Sequence, residues 1–75
     1  MSPAQFQIRK KTEKLARSPT PDVIRALRID AGLTQADAAA LIHLRNVSGW
    51  SQYERGATIM HPAFWELFQI KVKQQ

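Results

Sequence analysis

An all-α fold of four to five short helices behind a basic N-terminal extension is what this sequence predicts, on three observations. Apolar residues recur at helical spacing in four separate segments between Thr20 and Val72. Those segments are bounded by start and stop residues, namely Thr20-Pro21, Gly32, Thr34, Asn46, Gly56 and Pro62. The net charge of +5 is gathered ahead of the first segment and leaves the rest of the chain almost neutral. With 75 residues and no cysteine, the chain has room for one small domain that neither disulfides nor a cysteine-ligated zinc can staple. Helix packing must carry its stability, with help from a partner subunit if one is present.

The chain divides into an arm over residues 1–19 and a globular part over residues 20–75. The arm holds Arg9, Lys10, Lys11, Lys14 and Arg17 against Glu13 alone, a net charge of +4. The remainder holds six basic side chains against five acidic ones. An arm of this kind suits phosphate neutralisation through Arg9, Lys10 and Lys11. A solvated tail fits the same composition. The alternation Gln5-Phe6-Gln7-Ile8-Arg9 also leaves room for a short strand that pairs on dimerisation.

The prolines in Arg17-Ser18-Pro19-Thr20-Pro21 restrict the backbone until a helix can start. Thr20 is a good N-cap, with Pro21 at the first helical position and Asp22 beside it. The first helix is expected to run to about Ala31, burying Val23, Ile24, Leu27 and Ala31 while Arg25 and Asp30 face water. Gly32 then supplies a left-handed stop and Leu33 its hydrophobic partner. Thr34 and Asp37 form a capping-box-like T-x-x-D for a second helix over about Gln35 to Ile42. Its inner face, Ala38, Ala39, Leu41 and Ile42, is narrow enough to let another helix cross closely. Asn46 caps a third helix, Val47 to Arg55, which carries Val47, Trp50 and Tyr53 at three-residue steps and stops at Gly56. Trp50 is expected in the core. After a loop from Ala57 to His61, Pro62 opens the last helix, Ala63 to about Lys73, with His61 helping to cap it. Its stripe of Phe64, Leu67 and Phe68 is widened by Trp65 and Val72, with Ile70 on another side. Two readings fit that excess: a broad core helix, or a homodimer interface through Trp65, Phe68 and Val72.

Two short helices crossing over small residues form a helix-turn-helix, whose second member enters the DNA major groove. The run LTQADAAALI, followed by SQYERG and a proline, resembles the Xre/Cro-type helix-turn-helix of phage and bacterial repressors, with its lambda-repressor-like domain. TPDVIRALRIDAGLTQADAAALIH and MHPAFWELF are similar, more narrowly, to the small anti-CRISPR-associated regulators of phage operons. Together these segments cover about Thr20 to Val72. The chain departs from the family at His43, where glycine is usual, and the stretch from His43 to Asn46 is about one residue longer.

The outward positions of the third helix are Val47, Ser48, Ser51 and Gln52. A glutamine amide can donate to N7 of adenine and accept from its N6 amino group, a serine can serve a base or a phosphate, and a valine can touch a thymine methyl. The resemblance implies that Gln52, Val47 and Ser48 face base edges and that Gln35 binds a phosphate at a helix N-terminus. Arg45, Asn46 and Arg55 are placed for further backbone contacts. The resemblance also implies that Arg28 and Glu54 form a structural ion pair between the first and third helices.

Catalysis finds little support. His43 and His61 stand eighteen positions apart without a matching carboxylate or thiol pattern, which argues against a metal site. Ser48 and Ser51 lack a base nearby in sequence, and no glycine-rich phosphate loop occurs. The expectation is therefore a non-enzymatic regulator without cofactor, metal or small-molecule effector. It would bind double-stranded DNA at a palindromic operator as a homodimer, acting as an autoregulatory repressor of a phage or mobile-element operon. No apolar run approaches membrane-spanning length and no signal-peptide pattern stands at the start, so a cytoplasmic, nucleoid-associated location is expected. Two alternatives are the antitoxin of a toxin–antitoxin pair and an interaction module that has lost DNA binding.

The charge distribution yields a first test. Deleting residues 1–17 should weaken DNA binding to all sequences and flatten the dependence of log affinity on log salt, with sequence preference unchanged. An unaltered salt slope for the truncated protein would contradict a phosphate-neutralising arm.

Overall fold

The computed structural model describes residues 17–75. Within that span lie four α-helices: α1 Pro21–Asp30, α2 Gln35–Leu41, α3 Val47–Arg55 and α4 Pro62–Lys73. Side chains satisfy backbone amides at all four starts. Thr20 Oγ1 accepts from Val23 N at 3.3 Å. Thr34 Oγ1 accepts from Asp37 N at 3.0 Å while Asp37 Oδ2 accepts from Thr34 N at 3.1 Å, a complete capping box. Asn46 Oδ1 accepts from Gly49 N at 3.3 Å, and His61 Nδ1 accepts from Ala63 N at 3.0 Å. Each such cap contributes about 1 kcal/mol.

The first three helices end in the same way. Leu33 N donates to Arg28 O and Gly32 N to Ile29 O after α1, and Ala57 N to Gln52 O and Gly56 N to Tyr53 O after α3. After α2, Leu44 N donates to Ala39 O and His43 N to Ala40 O. This paired bonding needs one left-handed residue. Gly32 and Gly56 supply it at φ 75° and 77°, and His43 supplies it at φ 66°. The position where glycine is usual thus keeps its conformation with a histidine in it.

The core consists of Ile24, Ala38, Ala39, Ile42, Trp50, Tyr53, Met60 and Phe68. Trp50 stands at its centre, its ring centroid 4.7 Å from Phe68 and 6.1 Å from an edge-on Tyr53. Helix α3 packs on both α1 and α2, and α4 packs on α2. Ala38 and Ala39 are the buried residues of α2, so its narrow side receives the crossing helix.

Several sequence-based expectations need correction. Val23 is 48% exposed rather than buried, because the stripe that α1 turns inward runs through Ile24, Leu27, Arg28 and Ala31 and leaves Val23 to one side. Helix α1 stops one residue before Ala31, and α2 one residue before Ile42, each of which serves as the cap. Phe68, expected at a subunit interface, is fully buried against Trp50 within this chain and offers nothing to a partner. Trp65 and Val72 are half-buried against the same core. The apolar surface left on α4 belongs instead to Phe64 and Ile70, 39% and 49% exposed. Met60, read only as loop, is fully buried. It immediately precedes the cap residue of α4, where an apolar side chain fixes the entry angle of the chain.

His43 is exposed, and its side chain bears a conformation that costs a residue with a Cβ about 1–2 kcal/mol. His43→Gly removes that cost and adds back part of it as unfolded-chain entropy, by about 0.4–1 kcal/mol. Thermal unfolding should show Tm rising by about 2–6 °C in a domain of this size. A lower Tm would mean that the imidazole makes a stabilising contact outweighing the backbone strain.

Candidate nucleic-acid interface

With Trp50 and Tyr53 turned into the core, the opposite side of α3 presents Val47, Ser48, Ser51, Gln52 and Arg55. These fall at successive turns and form one continuous strip. Val47, Ser48 and Arg55 are exposed, while Ser51 and Gln52 are partly covered. Arg45 and Asn46 are exposed in the turn that leads into α3. Asn46 spends its carbonyl oxygen on the cap and keeps its amide hydrogens for an outside acceptor. At the far end of the helix, the positive charge of Arg55 complements the exposed carbonyls of the last turn. Arg9, Lys10 and Lys11 lie outside the described residues.

Gln52 is held more closely than a surface glutamine. Thr58 Oγ1 donates to its Oε1 at 2.9 Å, and its Nε2 approaches Ser48 Oγ at 3.5 Å. The chain reverses at Gly56 and returns the amides of Ala57 and Thr58 to the carbonyl of Gln52, at 3.0 and 3.3 Å. That return places the Thr58 hydroxyl beside the Gln52 amide. Ser48 stands one helical turn back, whereas the Thr58 contact depends on the chain reversal at Gly56, which helical spacing does not give.

Beneath the strip, one carboxylate gathers three elements. Glu54 Oε2 accepts from Arg28 Nε and from the Trp50 indole Nε1, each at 2.5 Å. Glu54 Oε1 accepts from Arg28 Nη2 at 3.0 Å and from Gln35 Nε2 at 3.1 Å. Arg28 Nη1 adds a bond to Leu33 O at 2.9 Å, in the turn between α1 and α2. The Arg28 and Glu54 side chains are 14% and 5% exposed. All four acceptor sites of the carboxylate are therefore filled by donors from α1, α2 and α3 itself. No buried side-chain polar atom lacks a partner among the described residues.

Two of those donors escaped the sequence reading. Gln35 was assigned to a phosphate, yet its amide nitrogen is bonded to Glu54 and leaves one N–H for any outside acceptor. The carboxylate that it meets stands nineteen positions on, outside any helical repeat. Trp50 packs in the core as expected, and in addition its indole N–H ends on Glu54 one turn along the same helix. A buried tryptophan needs such an acceptor, and the four-residue spacing was the available signal.

Burial pushes the Glu54 carboxyl up, but the hydrogen bonds from Arg28, Trp50 and Gln35 and the charge of Arg28 outweigh it. The net result is a carboxyl held below its ordinary value of 4.5. The hydrogen bond to Glu54 likewise raises Arg28 above its ordinary range. Among the described residues, no group of histidines and acidic side chains is placed to hold a metal ion, and no helix is long and apolar enough to cross a membrane.

Residues 22–68 match the family model of a helix-turn-helix domain. The chain is also similar to the type II methyltransferase M.MspI of a Moraxella species, with 34% identity over 55 residues. That alignment takes in 73% of this chain and 13% of the methyltransferase.

Both Arg28 and Glu54 lie inside the matched span, and their removal tests whether they are structural. Glu54→Ala leaves the Trp50 indole N–H without an acceptor and a part-buried guanidinium with Leu33 O alone, so it should cost about 3 kcal/mol, the low end for a broken buried pair. Because the folded carboxyl is held below 4.5, its contribution is fully present above that pH. It is lost as pH falls from there through the lower folded value, since the unfolded chain takes up the proton first. Chemical unfolding as a function of pH should show this acid loss in the wild type and a shallower one in Glu54→Ala. Equal stability of the two proteins at neutral pH would refute the structural role.

Proposed function

The chain belongs to the helix-turn-helix domain family, and from that premise we propose that it is a sequence-specific DNA-binding transcriptional regulator. The observation that supports this best is the outward strip of α3, Val47, Ser48, Ser51 and Gln52, backed by a core-facing Trp50 and Tyr53. A helix so presented has donors, acceptors and a methyl-bearing side chain for base edges in the major groove. Arg45, Asn46 and Arg55 flank the strip and suit phosphate contacts on either side. The second N–H of Gln35 and the basic side chains Arg9, Lys10 and Lys11 add to these.

The regulator works as a homodimer on an inverted-repeat operator. Phe64 and Ile70 give α4 an uncovered apolar surface, and a two-fold pair of reading helices would engage two half-sites about one helical turn apart. Repression is steric, by occupation of DNA that overlaps a promoter. Autoregulation of a phage or mobile-element operon is the setting that the resemblance of LTQADAAALI and MHPAFWELF favours, with the protein in the cytoplasm and no chemistry of its own. The likeness to a methyltransferase favours a second reading, in which a domain of this type serves as the DNA-reading part of a modification system.

Footprinting of the purified full-length protein on the DNA upstream of its own gene separates these readings from a module without DNA binding. A salt-sensitive, symmetric footprint supports the regulator, and its absence argues against it. Residue by residue, Gln52→Ala should cost about 1–3 kcal/mol of binding and relax discrimination at one base pair per half-site. Its Tm should fall by only a few degrees, through the bond lost to Thr58. Equal losses at every base position would show that α3 does not lie in the major groove as assigned.

A further inference from the structure

Gln52 is the residue of the α3 strip with the most to say about a base, and a free glutamine says it poorly. Its side chain has several rotatable bonds, and its amide can turn either end toward a base edge. Here both ends are engaged from within the chain, Oε1 by the Thr58 hydroxyl at 2.9 Å and Nε2 by Ser48 Oγ at 3.5 Å. The oxygen retains its second lone pair and the nitrogen its second hydrogen. The amide is thus oriented before DNA arrives while keeping one acceptor and one donor for it.

Thr58 is itself fixed. Its backbone N–H donates to Gln52 O, so the loop that carries the hydroxyl is tied to the residue it orients. The Thr58 side chain lies outside the core and outside the Arg28–Glu54 cluster, and it is exposed. We propose that Thr58, from the loop beyond the recognition helix, is a positioning residue for base reading: its hydroxyl holds the Gln52 amide in the orientation that selects one base pair. This rests on the reading of α3 as a DNA-reading helix. Without the hydroxyl, Gln52 meets its base pair from several orientations, and the preferred pair loses its advantage over the others.

The test is selection of binding sequences from a randomised duplex library by the full-length protein, its Thr58→Val variant and its Thr58→Ser variant. Valine keeps the branched shape and the backbone N–H but not the hydroxyl. The loss of one oriented hydrogen bond should reduce discrimination at the Gln52 base pair by about three- to tenfold. Preferences elsewhere in the site and the salt slope should stay at wild-type values, Tm should fall by no more than the few degrees of one lost hydrogen bond, and Thr58→Ser should restore the profile. An unchanged profile for Thr58→Val, or one weakened equally at all positions, overturns the proposal while leaving DNA recognition by α3 standing. A loss that Thr58→Ser does not restore also overturns it. A wild-type protein that selects no sequence overturns the underlying reading and the proposal together.

Discussion

The carboxylate of Glu54 has four acceptor sites, and the geometry of the domain depends on how they are filled. Arg28 takes two from α1, the Trp50 indole takes one from within α3, and the Gln35 amide takes one from α2. A carboxylate with 5% of its side chain exposed is costly to hold charged unless its sites are used, so the three helices have few arrangements open to them. Hydrophobic contact alone specifies them less tightly. Ile24, Ala38, Ala39 and Ile42 are what α1, α2 and its cap bring to the core, a small apolar set over which helices of ten and seven residues can slide at little cost. The polar cluster removes that freedom because its hydrogen bonds are directional. The same cluster faces the core side of α3, so the residues that point outward inherit a fixed presentation.

The turns work toward the same end. Three successive helices stop with one bonding pattern, each spending a left-handed residue to satisfy two carbonyls. At two of them the residue is glycine. At the third it is His43, which keeps the pattern at a cost in backbone energy, so the bonding of Leu44 and His43 to α2 must be worth more than the strain. Helix α2 has only seven residues and would not persist alone. Its capping box, its paired C-terminal bonds and the Gln35 contact together hold it in place against α3.

Local rules made much of the architecture legible from sequence. Thr20, Thr34 with Asp37, Asn46 and His61 each identified a helix start, and the described structure places a cap at all four. Boundaries missed by one residue at Ala31, Ile42 and Pro62, where cap and helix share a residue's conformation. What local rules did not reach were facts of tertiary packing. Helical periodicity says that Val23 and Phe68 are apolar, but whether each meets the core depends on which neighbours cover it. Met60 sits in the loop before α4 and still belongs to the core. Glu54, which Gln35 bonds, and Thr58, which bonds the Gln52 amide oxygen, lie nineteen and six positions away, beyond any helical repeat. Side-chain chemistry narrowed the outward strip of α3 to four residues, yet only the folded chain reveals that the Thr58 hydroxyl meets the glutamine amide.

A rigid frame beneath a strip that it holds ready for DNA joins these parts. If it holds, DNA should perturb the strip and leave the frame as it was. The chain has two tryptophans, and the indole N–H of Trp50 reports directly on the Glu54 cluster. Amide and indole chemical shifts followed by NMR, as the full-length protein is titrated with a duplex selected from a random library, test this most directly. The account predicts large shifts at Val47, Ser48, Ser51 and Gln52, with the Trp50 indole signal almost stationary. A Trp50 indole signal that moves as far as those of Ser48 and Gln52 would show that the carboxylate cluster yields on binding, and would contradict the account.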